Sequence, residues 1–261
     1  MKTGIQGLNI LNIPAGVYAR LRSGTGMTQR GSNWMKQQTS PAIVLRRTNY
    51  GEADRIVTFL TPIGKVKAMV KGVRRSKSKL AGGIELFSES TITFMYTRGD
   101  LARIVSTRLD THWDGIVGDL QKMMFGYEAM KQIDKHIEDE ADRDYYDLLK
   151  ATLEGLADSE IPLATMQVWF YSRLLLIEGA QINTAEDSNG KKLSAEELYN
   201  FSPDSMGFVE AKNGRYKPDD IKLLRLMIQH QPTTLKQVKN LAEHSKTLKD
   251  LFTLELTQFM K

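Results

Sequence analysis

Thr61-Pro62-Ile63-Gly64-Lys65-Val66-Lys67-Ala68-Met69-Val70-Lys71-Gly72-Val73-Arg74-Arg75-Ser76-Lys77-Ser78-Lys79 reads as a turn, a strand and a loop in nineteen residues. Pro62 and Gly64 mark the turn, where Gly64 can supply a positive φ. From Lys65 the side chains alternate. Val66, Ala68 and Val70 point one way; Lys65, Lys67, Met69 and Lys71 point the other. One strand thus carries an apolar core face and a cationic outer face. The loop that follows adds Arg74, Arg75, Lys77 and Lys79, and Gly82-Gly83 closes it.

Working outward, Ala42 to Leu45 begins an earlier strand, turned at Asn49-Tyr50-Gly51-Glu52. Arg55 to Thr61 is a second β-rich run. Ser90 to Tyr96 reads as a fourth strand, and Thr97-Arg98-Gly99-Asp100 turns it into a fifth. In that fifth strand Arg103 and Val105 are expected to oppose Ile104 and Leu109. Five short strands in about 70 residues suit a small Greek-key barrel.

From Trp113 the period changes. Leu120, Met123, Met124, Tyr127, Met130 and Ile133 recur at helical steps, as do Tyr145, Leu148, Leu149, Thr152, Leu153 and Leu156. Pro162 starts a third helix that runs through Trp169, Leu174 and Ile177 to Gly179. Residues 179–214 are polar, with Ser188-Asn189-Gly190 as a turn. Helical spacing returns at Ile221, Leu224 and Met227, again at Leu235, Val238 and Leu241, and in a last helix with Leu248, Leu251, Phe252 and Phe259. The expected fold class is α+β, multi-domain: a β-barrel domain over 35–112, then an α-helical domain over 113–261.

The 261 residues carry a formal net charge of +5, unevenly placed. Between Arg46 and Lys79 stand ten basic side chains and two acids, Glu52 and Asp54. A strand-borne cluster of this kind points to a polyanion, most often nucleic acid. Arg46, Lys65, Lys67, Lys71, Arg74, Arg75, Lys77 and Lys79 are the candidate phosphate contacts. An edge strand kept soluble by lysines would explain two or three of them. It does not explain seven cations from Lys65 to Lys79 with no acid between. Phe59 and Phe94 fall at core positions, whereas Tyr50 and Tyr96 are candidates for base stacking.

Other chemistries find little support. There is no cysteine, so disulfides and thiolate metal sites are excluded. His112, His136, His230 and His244 lie far apart, without metal-ligand spacing, and read as surface or cap residues. The acids Glu138, Asp139, Glu140 and Asp142 suit a helix junction better than paired acid–base work. No phosphate-cradling loop, dinucleotide fingerprint or nucleophile elbow occurs. Neither catalysis nor a cofactor is expected, and no run reaches the ~18 apolar residues of a membrane span. The first 34 residues hold four basic side chains and no acid. They can be a transit peptide, a flexible basic arm, or sequence upstream of a start at Met35. The last is favoured, because ordered patterning begins at Ala42.

Asn49-Tyr50-Gly51-Glu52-Ala53-Asp54-Arg55, Thr61-Pro62-Ile63-Gly64-Lys65 and Lys71-Gly72-Val73-Arg74-Arg75-Ser76-Lys77-Ser78-Lys79 together resemble the N-terminal signature of the bacterial RecO family of DNA repair proteins. The resemblance covers roughly residues 35–261 and is specific in its first third. Trp169 to Gly179 resembles the helix before that family's zinc-binding insert, with Phe201-Ser202-Pro203 and Gly207-Phe208-Val209 following within it. It implies an OB-fold barrel with a basic loop, and a cytoplasmic, nucleoid-associated protein. It also implies a mediator that binds single- and double-stranded DNA, anneals strands and works with RecR to load recombinase. A further implied partner is the C-terminal tail of the single-stranded DNA-binding protein, for which Trp169, Phe170 and Arg173 are candidate contacts, with Lys122 and Lys131 nearby. The chain departs from the pattern in the insert, near 180–215. Many relatives carry two CxxC pairs there; the matching positions fall near Asp187 and Gly190, then Glu210 and Asn213. A generic OB-fold protein for RNA or tRNA is the runner-up.

Overall fold

The computed structural model describes residues 37–96, 101–137 and 143–256. The turn expected at Thr97 to Asp100, the acidic run from Glu138 to Asp142, Phe259 and the first 34 residues lie outside them. Five strands come first: β1 (Gln38–Tyr50), β2 (Asp54–Thr61), β3 (Gly64–Val70), β4 (Ser88–Tyr96) and β5 (Ala102–His112). They close a barrel in the order β1-β2-β3-β5-β4, and β4 returns to β1. Neighbours pair antiparallel except at the seam, where β3 runs parallel to β5 through Ala68↔Ala102 and Met69↔Arg103. This is the OB-fold arrangement: a small barrel in Greek-key order.

The alternation expected in β3 is present. Val66, Ala68 and Val70 are buried in the barrel with Val44, Val57, Phe59, Ile92, Phe94 and Ile104. Leu109 departs from expectation and is 45% exposed. The register of β5 against β4 shifts twice, between Thr93 and Phe94 and between Glu89 and Ser90. Only the first shift lies between Ile104 and Leu109, and every β5 residue from Arg108 to His112 is exposed, so this end of the strand runs past the barrel core.

The outer side of β1 and β2 is apolar at one end. Ile43, Leu45 and Leu60 belong to the same buried cluster as the helices. Those helices are a single turn α1 (Asp114–Val117), α2 (Leu120–His136), α3 (Arg143–Ala157), α4 (Leu163–Ile177), α5 (Pro218–Gln229) and α6 (Leu241–Asp250). α2 starts on Asp119, whose carboxylate caps the Gln121 and Lys122 N–H groups. Gly126 lets it approach the barrel, because a Cβ there would lie 2.7 Å from the Phe87 ring. Its buried face is Phe125, Ala129, Met130 and Ile133. Leu120, Met124 and Tyr127, expected on that face, are 65%, 63% and 45% exposed. The three- and four-residue spacing runs together two stripes of the helix, one buried and one outward.

In α3 the expected apolar face is buried throughout. Spacing at Leu235, Val238 and Leu241 resolves into a 3-10 turn (Pro232–Gln237) followed by α6, and a π-turn (Leu251–Glu255) ends the described chain. The polar stretch after Gly179 holds an unexpected hairpin, β6 (Tyr199–Ser202) and β7 (Gly207–Glu210).

Candidate nucleic-acid interface

Barrel register decides which cations share a surface. Arg46 lies opposite Thr58, and Thr58 opposite Lys67. The next outward row runs Thr48, Ile56, Met69 and, across the parallel seam, Arg103. Directly opposed residues project from the same side of a sheet. Arg46, Lys67 and Arg103 are exposed there, with half-buried Ile56 and Met69 among them. Arg103 was not among the sequence candidates. Its signal was topological: only closure of β5 onto β3 brings it beside this face.

The basic loop is the second part of the site. Lys71, Arg74, Arg75, Lys77 and Lys79 are all exposed. Among the described residues no ion pair engages any of the five. The loop is tied to the β1–β2 turn. Asp54 Oδ1 accepts the Gly72 N–H at 2.7 Å, and the Ala53 carbonyl accepts the Arg74 N–H at 2.9 Å. The Arg74 side chain also donates to the Gly51 carbonyl at 3.2 Å. Gly72 has φ +65, a conformation that glycine adopts at little cost. Asp54 thus engages the Gly72 backbone, and Arg55 donates to Asn49 Oδ1 at 3.1 Å.

Lys65 stands apart from the other candidates. Its ammonium donates to the Asp134 carbonyl at 2.8 Å and to Asp134 Oδ1 at 3.1 Å, so α2 covers this end of the row. Tyr50 is 53% exposed beside the loop, whereas Tyr96 packs edge-on against Phe94 at 5.8 Å.

Trp169 and Phe170 are 1% and 0% exposed. The indole N–H donates to the His230 carbonyl at 2.8 Å, and Arg173 lies 5.8 Å from the indole centroid. Arg173 also donates to the Ile228 carbonyl. Trp169 and Arg173 therefore secure the end of α5, while Phe170 packs edge-on against Phe125 of α2. The trio offers a peptide no aromatic surface, which corrects the expectation that these residues receive a partner tail.

The insert does not suit a zinc ion. Asp187 is buried, and its Oδ1 accepts the Asn189 and Lys191 N–H groups at 2.9 and 2.8 Å. Lys191 reaches Glu210 at 3.1 Å, linking the stretch around Asp187 and Gly190 to that around Glu210 and Asn213. Phe201, Phe208 and Tyr216 pack edge-to-face behind them, at 5.5 and 5.6 Å. Gly214 allows the chain past Tyr199, where a Cβ would meet the backbone at 2.3 Å. Among the described residues no three His, Cys, Asp or Glu side chains could hold a metal. No described helix is long and apolar enough to cross a membrane.

A closed 1-2-3-5-4 barrel followed by a helical bundle places the protein in the class of OB-fold proteins. Residues 35–110 match the family described as Recombination protein O N terminal. The chain is 35% identical over 116 residues to the DNA repair protein RecO of Roseiflexus sp. (strain RS-1), covering 44% of this chain and 41% of that protein. It is 32% identical over 172 residues to the DNA repair protein RecO of Dehalococcoides mccartyi (strain CBDB1), covering 64% and 66%. The DNA repair protein RecO of Exiguobacterium sp. (strain ATCC BAA-1283 / AT1b) is 28% identical over 228 residues, with 82% and 88% covered. The chain thus spans about two fifths of the first relative's length and about two thirds of the second's. It belongs to the RecO family, in a form without cysteine.

Proposed function

We propose that the protein is a recombination mediator that binds single- and double-stranded DNA, anneals complementary strands and assists recombinase loading without bond chemistry of its own. The observation that carries this reading is the pinned loop with its five exposed cations, set beside a sheet face that mixes cations with apolar side chains. Phosphates along a strand need closely spaced cations. Ile56 and Met69 offer unstacked bases an apolar floor, as stacking surfaces do in single-strand binders. Neutralising two strands at once favours pairing between them. Reversal of Arg74, Arg75, Lys77 and Lys79 to Glu should abolish DNA binding and annealing while the thermal melt stays unchanged. Unaltered binding with an unaltered melt would place the interface elsewhere. A strand-annealing assay run beside a structured-RNA binding assay separates this reading from an RNA-binding role.

RecR and the acidic, apolar-ended tail of the single-stranded DNA-binding protein are the proposed protein partners. The outward stripe of α2 suits such a tail. Leu120, Met124 and Tyr127 fall at i, i+4 and i+7, and the same stripe continues with exposed Lys131 and Lys135. An apolar stretch followed by cations matches a peptide whose end is apolar and whose flank is acidic.

A further inference from the structure

We propose that Asp134 occupies the place of a phosphate at the helix-side end of the cationic sheet face and thereby limits the protein's affinity for DNA. The inference rests on the nucleic-acid reading of that face. Asp134 projects from α2, and its two carboxylate oxygens are divided between strands. Oδ1 accepts from Lys65 at 3.1 Å on β3, and Oδ2 lies 3.8 Å from Arg46 on β1. Arg46 stays 62% exposed at its side chain, and Lys67 lies two strands away in the same row. An anion held between two cations on a polyanion-binding face is a built-in competitor. It screens Arg46 from an arriving phosphate and holds Lys65 under the helix.

The geometry separates this role from a purely structural one. Lys65 also donates to the Asp134 backbone carbonyl at 2.8 Å, a bond that survives any change of the Asp134 side chain. The joint between α2 and the barrel further rests on Ile43, Leu45 and Leu60 in the shared core. Removing the charge should therefore free cations without unseating the helix.

The test is Asp134→Asn in the full chain, with a fluorescent single-stranded oligonucleotide titrated across a salt series. Binding should tighten about two- to fivefold at low salt, the range expected for losing a partly exposed ion pair that competes for the same cation. The slope of log K against log salt should steepen by ~0.7 for each additional phosphate neutralised. In an Arg46→Gln background the gain from Asp134→Asn should shrink, because the freed cation is gone. Asp134→Ser, which also removes the charge, carries the same test should the amide lower the melting temperature. Equal or weaker binding by charge-neutral variants that melt like wild type would overturn the inference. Wild type showing no salt-dependent binding at all would instead overturn the DNA-binding reading.

Discussion

Asp54 holds Gly72: the carboxylate at the start of β2 accepts the backbone N–H at the first bend of the basic loop, at 2.7 Å. A charged acceptor makes such a bond shorter and roughly twice as strong as a neutral one. Asp54→Ala should leave the barrel folded yet loosen the loop. Amide exchange at Gly72 and Arg74 should quicken, and DNA affinity should fall about tenfold, the equivalent of ~1.4 kcal/mol. A loop that exchanges as slowly as in wild type would show that Asp54 does not position it.

DNA affinity should depend steeply on salt and little on sequence. If about five of the exposed cations meet phosphates, log K should fall against log salt with a slope of about −3 to −4 for single strands. Titrations of unrelated oligonucleotides at several salt concentrations check this. A flat response would remove the electrostatic account.

The insert should hold its shape without metal. Chelator should leave the melting temperature unchanged, and elemental analysis should find no stoichiometric zinc. Phe208 is fully buried in the aromatic cluster, so Phe208→Ala should cost about 3–5 kcal/mol of stability. One zinc per chain would contradict this.

For the partner tail, Met124→Asp or Lys131→Glu should weaken capture of a labelled acidic peptide by the full chain while its melt stays as in wild type. Trp169→Ala should act differently, lowering stability by about 3–5 kcal/mol through the core. Unchanged peptide affinity in both α2 variants would exclude the outward stripe.

Alkaline stability should report on a second joint between barrel and helices. Glu89 of β4, buried, accepts from the Tyr146 hydroxyl and from Lys150 at 2.9 and 2.8 Å. Burial, then the bond to Glu89, holds the Tyr146 phenol far above its usual range, and the bond to Glu89 raises the Lys150 ammonium. Groups with raised pKa values add stability that is complete at neutral pH and lost as pH climbs past about 10 toward the folded values. In Glu89→Gln this alkaline loss should be shallower, on a baseline lowered at pH 7. Denaturant melts between pH 7 and 11 measure both.

Much of the barrel could be read from residue order because its signals are local. Alternation in β3, the Pro62 and Gly64 turn, and the charge of the loop each occupy a few consecutive residues. What escaped was set by contacts distant in sequence. Arg103 joins the cationic face through a seam of two residue pairs. Lys65 looks identical to Lys67 in sequence, yet an acid some seventy residues later takes it. Trp169 and Phe170 carry the composition of a docking site and are core. Leu120, Met124 and Tyr127 carry the spacing of a core and face outward. Apolar spacing tells which side chains share a side of a helix, not what that side meets.

The apolar patch that Ile43, Leu45 and Leu60 share with the helices also has a consequence for synthesis. The barrel leaves the ribosome first, and β5 can close it before α2 and α3 have emerged. At about 5–20 residues per second, the stretch from His112 to Ala157 takes a few seconds to follow. Through that interval the nascent barrel shows a greasy outer patch that its own chain has not yet covered. A gene fragment ending at His112 would make that interval permanent, so the barrel is a unit of topology that depends on its helices for a finished surface.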